Sequence, residues 1–167
     1  MPLTITVNEN TYISLDDAEE YFKTRLNNSV WEEATNTQKK KALVTATRHI
    51  DYHSFIGRKV DPDQPLKFPR VFTKKISPFY KYDDKLDSDS LPQELLDATC
   101  EEAIALLSKD NKTEKKLRSG IESESIEDTS RSYNTDVMKS VRNGRGIVSP
   151  EAKSLLRGFI KSTARLG

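Results

Sequence analysis

Cations and aromatic side chains alternate along one stretch of the chain, and this combination can bind single-stranded nucleic acid. Residues 67–75 are Lys-Phe-Pro-Arg-Val-Phe-Thr-Lys-Lys, and residues 79–82 are Phe-Tyr-Lys-Tyr. Such a segment neutralises phosphates with its cations and stacks bases on its rings. The predicted DNA-facing side chains here are Lys74, Lys75, Phe79 and Tyr80. The alternative, which we favour, is that Phe68 and Phe72 anchor the segment to the core while its cations remain in water.

Two histidines have a spacing that can hold a metal ion. His49 and His53 lie four residues apart in a predicted helix, as in some zinc sites. A zinc site needs further ligands, and the residues between the two histidines do not form a metalloprotease pattern. We therefore expect a packed or partly exposed histidine pair, with no metal and no other cofactor.

Carboxylates could supply acid–base chemistry, and they are concentrated in residues 83–89. The sequence places no nucleophile, glycine-rich phosphate loop or cofactor motif beside these acids or beside Asp51. We therefore expect no enzymatic activity. An acidic run is usually a solvated loop.

The composition favours one domain with appendages. The chain has 167 residues, of which 35% are hydrophobic and 32% charged, so its core is small for its length. The net charge is +1, yet residues 131–167 carry eight Lys or Arg against two acids, a balance of +6, and residues 1–130 balance at −5. This asymmetry indicates head-to-tail complementarity between copies, a basic arm for another partner, or a solvated tail.

The cysteine content and the hydropathy of the sequence indicate in which cellular compartment the protein works. Cys100 is the only cysteine, so we expect no intramolecular disulfide, and its place in a helical pattern predicts buried packing. The sequence shows neither a secretory signal nor an apolar run of the about 20 residues that span a bilayer. We expect a soluble protein without membrane contact, made and used in the cytoplasm.

Helical periodicity and capping signals define most of the predicted elements. The signals for helix starts are Ser14, Thr35 or Asn36, Pro92 and Pro150. Gly57 is the stop signal of the longest predicted helix. The predicted helices are 14–27, a short turn around Trp31, 36–56, 92–108 and 150–162.

The remaining segments lack helical periodicity. Residues 3–7 alternate and predict a short strand or extended arm. The proline-rich residues 57–91 predict a long loop with one extended piece near residues 67–72. Residues 109–116 are turn-like, and the Ser/Thr-rich residues 117–133 predict a β-hairpin.

Together these elements predict a mainly α fold, a small bundle of about four helices with a projecting β-hairpin, a long loop and a flexible C-terminal segment. Residues 134–148 contain Gly144 and Gly146 and are expected to be flexible. We therefore divide the chain into a helical domain with the hairpin, residues 1–133, and a segment with the last helix, residues 134–167.

The predicted hairpin needs a surface to pair with, because an isolated hairpin is marginally stable. A neighbouring subunit could supply that surface. The subunit-interface candidates are Ile121, Ser123, Ile126 and Tyr133. Alternatively, residues 3–7 of the same chain add a third strand, and both arrangements stay open.

An ordered set of short motifs spans nearly the whole chain. The motifs are Thr11-Tyr12-Ile13-Ser14, Ala18-Glu19-Glu20-Tyr21-Phe22, Trp31, Lys41-Ala42-Leu43, Ile50-Asp51, Gly57-Arg58-Lys59, Leu66-Lys67-Phe68-Pro69-Arg70, Leu91-Pro92, residues 123–128, Tyr133 and residues 152–156. In this order they resemble the phage head–tail connector proteins, also called adaptor or head-completion proteins. Relatives of those proteins are often labelled DnaT-like single-stranded-DNA-binding proteins. Two positions depart from the family: Phe68 replaces a frequent Trp, and Glu127 replaces a frequent Gly at the hairpin bend.

The resemblance implies a non-catalytic subunit of a ring, typically dodecameric, in the neck of the virion. The ring would join the portal protein to the tail or to the next neck or tail-completion protein, and it would extend the channel for double-stranded DNA. In such a ring Asp83 and Asp84 could face the channel, where negative walls would keep the DNA backbone from adhering. It would be assembled in the host cytoplasm, and a free subunit can be a monomer that oligomerises on its partner. The alternative function is that of a single-stranded-DNA-binding replication accessory protein, which the cation–aromatic stretch supports.

The C-terminal segment is where we expect the portal contact. Its last helix has an apolar face with a charged rim, which is typical of a helix that docks in a groove. The portal-binding candidates are Arg145, Leu155, Leu156, Arg157, Phe159, Ile160 and Lys161. The alternative is that this helix packs on the core of its own chain. If the segment serves the portal alone, deleting residues 145–167 should leave a folded domain.

Overall fold

The computed structural model describes residues 3–72, 90–118 and 146–161, with side chains in the fourth helix described as far as Ser108. The fold is mainly α, as the sequence predicts. Its helices are α1 (Leu15–Thr24), α2 (Ser29–Glu33), α3 (Asn36–Asp51), α4 (Gln93–Arg118) and α5 (Pro150–Leu156). Two short strands, β1 (Arg58–Lys59) and β2 (Arg70–Val71), pair in antiparallel fashion.

Capping residues fix the first residues of α1 and α3, as predicted. The Ser14 hydroxyl accepts a hydrogen bond from the Asp17 amide at 3.1 Å, and acids in this first turn suit the positive end of the helix dipole. Thr35 and Gln38 form a complete capping box. The Gln38 amide donates to the Thr35 hydroxyl at 3.3 Å, and the Thr35 amide donates to Gln38 Oε1 at 2.9 Å.

The end of α3 differs from the prediction. The helix ends at Asp51, not at residue 56, because the chain beyond it is extended and pairs with the C-terminal segment. The Ile56 amide donates to the Phe159 carbonyl at 2.8 Å, and the Lys161 amide donates to the Ser54 carbonyl at 2.8 Å. These long-range hydrogen bonds compete with continued helix.

Gly57 therefore has a different role from the predicted helix stop. It has φ +73, in the left-handed region that disfavours residues with a Cβ. A Cβ at this position would also collide with the carbonyl oxygen of Val71. Gly57 thus allows β1 and β2 to approach each other at the start of the loop.

Helix α4 is longer than predicted. It continues to Arg118, ten residues past the expected end at 108, so residues 109–116 are helical and not turn-like. This segment contains no Gly or Pro, and its Lys and Glu residues have good helix propensity. The predicted hairpin cannot begin at residue 117, and from residue 119 onward it lies outside the described residues.

Two hydrophobic clusters form the core, and α4 contributes to both. One cluster joins α1, α2, α3 and α4 and includes Phe22 and Trp31, whose rings stack at 4.2 Å. Cys100 is buried in this cluster, as predicted, and burial raises the pKa of its thiol. The other cluster joins α3, α4, the loop and α5, and Phe68 and Phe159 belong to it.

The N-terminal arm differs from the predicted strand. Residues 3–7 form no regular strand, and Val7 makes an isolated bridge with Thr11. Within the described ranges, none of the helices combines the length and the apolar character needed to span a bilayer.

Candidate functional site

The described half of the cation–aromatic stretch is used inside the fold. Phe68 is 1% exposed, and Phe72 packs against the same cluster, so the predicted aromatic anchors are confirmed. The guanidinium of Arg70 lies 6.0 Å from the Phe68 ring and donates to four backbone carbonyls. The acceptors are Gly57 at 2.6 Å, Ile56 at 2.8 Å, Lys67 at 3.1 Å and Phe55 at 3.3 Å.

The prediction that the cations remain in water is therefore wrong for Arg70 and Lys67. The Lys67 ammonium donates to the His53 carbonyl at 2.7 Å. Burial lowers the pKa of both side chains. Their donors satisfy carbonyls that follow α3, where the backbone has left the helix and would otherwise lack partners. These two cations stabilise the loop and are not presented to a ligand.

Asp51 ties the end of α3 to the chain before α1. The Tyr12 hydroxyl donates to Asp51 Oδ1, and the Lys67 amide donates to Asp51 Oδ2 at 3.1 Å. Burial raises the pKa of Asp51, although the hydrogen bonds from Tyr12 and Lys67 oppose that effect. The Tyr12 ring also contacts the edge of Phe68 at a centroid distance of 5.9 Å. This carboxylate joins three segments.

Glu102 is a fully buried carboxylate on α4 that binds the start of the C-terminal segment. Its Oε2 accepts hydrogen bonds from the amides of Val148 and Ser149, each at 2.8 Å. Its Oε1 lies 2.7 Å from His49 Nδ1. Ser149 in turn caps α5 by accepting from the Ala152 amide at 3.2 Å. We name Glu102, His49 and the amides of residues 148–149 the Glu102 latch.

The two histidines at i and i+4 have different surroundings. His49 belongs to the Glu102 latch, whereas Nε2 of His53 is buried and has no hydrogen-bond partner among the described residues. Burial lowers the pKa of His53, and the positive charges of Lys153 and Lys67 act in the same direction. In the described part of the chain, no group of three or more His, Cys, Asp or Glu is placed to hold a metal ion.

Glu101, next to the latch residue, makes a separate ion pair with the end of α1. Arg25 donates to it through both Nε at 2.6 Å and Nη2 at 2.8 Å, and the Tyr21 hydroxyl donates at 2.7 Å. Burial alone would raise the pKa of Glu101, but the hydrogen bonds from Arg25 and Tyr21 outweigh it and hold that pKa below its ordinary value. Sequence reasoning missed both glutamates, because adjacent acids on a helix look like a solvated face.

This depressed pKa predicts a pH-dependent stability. Ionised Glu101 stabilises the fold at pH values above its ordinary pKa, about 4.3, and the contribution is lost as the pH falls through the lower folded-state pKa. Replacing Arg25 by Gln should cost about 1.5–3 kcal/mol at pH 7, typical of hydrogen bonds to a charged group, and less at pH 3, which lies below the ordinary pKa of Glu. Urea unfolding at both pH values measures this. A Lys23→Gln control removes an exposed cation from the same helix, and a pH-independent loss for Arg25→Gln would contradict the prediction.

The C-terminal segment packs on the core of its own chain. This is the alternative to the predicted docking of its last helix on a portal protein. Leu156 is 0% and Phe159 1% exposed in the cluster with Phe68, and Leu155 and Ile160 pack against that cluster. Arg157 and Lys161 are exposed. Contact with a portal protein stays a prediction, but Leu156 and Phe159 cannot offer an apolar face to a partner while this packing persists.

The remaining candidate residues lie outside the described ranges. They are the DNA- or channel-facing candidates Lys74, Lys75, Phe79, Tyr80, Asp83 and Asp84, the subunit-interface candidates Ile121, Ser123, Ile126 and Tyr133, and the portal candidate Arg145. The boundary predicted between residues 133 and 134 also falls outside them. In the described chain, the polar side chains that sequence analysis did not anticipate join distant segments to one another.

Comparison with known proteins gives one match. A family model with the description "Putative DnaT-like ssDNA binding protein" matches residues 2–166. No curated protein and no solved structure matches the chain.

Proposed function

The chain belongs to this DnaT-like family, and we propose that it is a non-catalytic structural subunit of a phage neck. Copies of the chain would form a ring that joins the portal protein to the tail or to the next neck protein and extends the DNA channel. Relatives of the connector proteins often carry the same DnaT-like description. The proposal therefore rests on the chain-wide sequence resemblance rather than on the family description.

The contacts of Arg70 within the fold favour the neck subunit over a single-stranded-DNA-binding protein. The stretch from Lys67 to Tyr82 is the sequence feature that favours single-strand binding, because that chemistry needs exposed cations and rings. In the structure, Arg70 and Lys67 donate to backbone carbonyls, and Phe68 is buried in the core. The described half of the stretch is thus explained by folding and lends no support to a nucleic-acid site.

The long-range polar contacts also suit a rigid ring subunit. Asp51, Glu101 and Glu102 each join segments at least 16 residues apart. Buried, fully bonded polar groups favour one arrangement of the elements over others. A subunit with one fixed shape is what repeated, symmetric contacts require.

The proposal is tested by locating the protein in assembled virions. Cryo-electron microscopy of purified particles should show density for the α1–α5 body in repeated copies between the portal and the tail. Protein mass spectrometry of the same particles should detect the chain in a copy number that matches the ring. Absence from the particles, or density at the tail tip or in the capsid shell, would contradict the proposal.

Binding of single-stranded DNA is the second candidate, favoured by the description of the family. It would have to use residues such as Phe79 and Tyr80, or another surface. Fluorescence anisotropy with an oligonucleotide across a salt series tests it, since phosphate contacts make affinity strongly salt-dependent. We expect no binding at moderate salt. Binding that is lost in the Phe79→Ala, Tyr80→Ala variant, but kept when the exposed Tyr52 is changed to Ala, would establish this function instead.

A further inference from the structure

One exposed face of α3 is basic. Lys41, Arg48 and Tyr52 are exposed, and at about 100° per residue they lie within about 40° of one another around the helix axis. The only acid of α3 is Asp51, which is bonded to Tyr12. We name these three residues the basic stripe. Its aromatic member, Tyr52, is 57% exposed.

The exposed face of α1 has the opposite charge. Asp16, Asp17 and Glu20 are exposed, and one cation, Lys23, pairs with Glu20 at 2.7 Å. Leu26 follows the helix and is 85% exposed, the most of any large hydrophobic residue in the described chain. We name Asp16, Asp17, Glu20 and Leu26 the acidic surface.

The basic stripe points away from α1 in its own molecule. Glu19 of α1 and Lys39 of α3 form an ion pair at 2.8 Å, which identifies the facing sides of these two helices. Arg48 is nine residues from Lys39, or about 180° around α3. Asp16, Glu20 and Asp17 lie about 60°, 100° and 160° from Glu19 around α1. The basic stripe therefore cannot pair with the acidic surface of its own copy.

We propose that the basic stripe of one copy docks on the acidic surface of the next copy, with Tyr52 and Leu26 as the apolar contacts. Each copy would use two different surfaces, so the contact is heterologous, and heterologous contacts close into a ring when the rotation permits. Opposite charges steer the encounter and fix its register, while an exposed aromatic provides an anchor. The inference deepens the neck proposal and rests on it for the closure of the ring.

A second copy fits these observations better than a nucleic acid does. DNA would bind Lys41 and Arg48 through its phosphates, but it would leave the acidic surface and the exposed Leu26 without a role. A second copy accounts for both surfaces and for the exposure of Tyr52 and Leu26. DNA binding by the stripe is therefore an outcome to be tested.

Reciprocal charge reversal provides the test. In one variant Lys41 and Arg48 are changed to Glu, and in the other Asp16 and Glu20 are changed to Lys. Sedimentation velocity of the full chain at low salt should show association that rises with concentration and is lost at high salt. Each variant alone should associate at least about tenfold more weakly, because like charges then face each other. An equimolar mixture should recover association, because each reversed surface then meets its opposite.

The control variant changes the exposed Thr4, Arg58 and Ser154 to Glu, which alters the net charge as much as reversing the stripe does. It should associate like the unmodified chain, and circular dichroism should show that all variants are folded. The inference is overturned if the unmodified chain stays monomeric at low salt, if the mixture does not recover, or if the control is equally weakened. It is also overturned if stripe reversal abolishes oligonucleotide binding and leaves association unchanged.

These results are separable from the fate of the proposed function. Rings formed in virions by the stripe-reversed variant would overturn the interface and leave the neck role intact. Recovered association in the mixture, for a protein that is absent from virions, would leave the interface standing without the neck role.

Discussion

Deleting residues 145–167 should unfold the helical body rather than leave an intact shorter domain. The deletion removes Ile147, Leu156 and Phe159, which are at most 1% exposed and belong to the cluster around Phe68. Truncating one such side chain to Ala costs about 2–5 kcal/mol. Losing all three together is comparable with the whole stability of a domain, about 5–15 kcal/mol.

Urea unfolding followed by circular dichroism measures this effect. The control is a truncation after Lys161, which keeps the described segment and should unfold like the full chain. A protein truncated before residue 145 that retains its helix content and a cooperative transition at the same urea concentration would contradict the account. That result would restore the earlier expectation that the segment serves a partner alone.

Changing Glu102 to Leu should also destabilise the chain strongly, whereas changing it to Gln should have a small effect. Leu leaves the buried amides of Val148 and Ser149 without an acceptor, and breaking a buried charged contact typically costs about 3–5 kcal/mol. Gln can keep one oxygen where Oε2 accepts from both amides. The Gln variant should therefore lose only about 1 kcal/mol of unfolding free energy, which is the contribution of an ordinary hydrogen bond.

The two Glu102 variants are compared by urea unfolding and by limited proteolysis within residues 146–161. Cleavage there should increase in the Leu variant, because the start of α5 loses its anchor. Changing Glu151 to Gln provides a control, since this exposed residue lies on the same helix and should alter stability by less than about 0.5 kcal/mol. Equal stability of the Leu and Gln variants would show that packing, and not the hydrogen bonds, holds the segment.

Local signals predicted much of the fold. Ser14 and Thr35 cap their helices through residues three positions away, so a short stretch of sequence contains the complete interaction. Cys100 was predicted to be buried because it lies inside a helical pattern, and Phe68 because an aromatic ring among cations can anchor a loop to the core. In each case the neighbouring residues determine the outcome.

Features set by distant partners were not predictable. The end of α3 depends on residues 54–56 pairing with residues 159–161, more than 100 positions away. Glu101 and Glu102 meet Arg25 and Val148, respectively, and no local pattern distinguishes a buried pair of acids from a solvated one. The apolar face of α5 has the same sequence whether it binds its own core or a partner.

Local sequence also leaves the function of the cation–aromatic stretch open, because it does not show which partner each side chain binds. Arg70 could bind phosphates or carbonyl oxygens, because the guanidinium can donate to both. Its four carbonyl contacts resolve the choice for the described half of the stretch. The candidates Lys74, Lys75, Phe79 and Tyr80 keep the status of sequence predictions, and the anisotropy measurement addresses them.

The proposed structural role in the neck is tested most directly by imaging heads assembled without this protein. Cryo-electron microscopy of particles from a deletion mutant should show portal-containing heads that have packaged DNA, lack tails and leak that DNA. Supplying the unmodified gene in trans should restore tailed particles. Normal tailed particles from the mutant, or a block in DNA replication before heads are filled, would contradict the account.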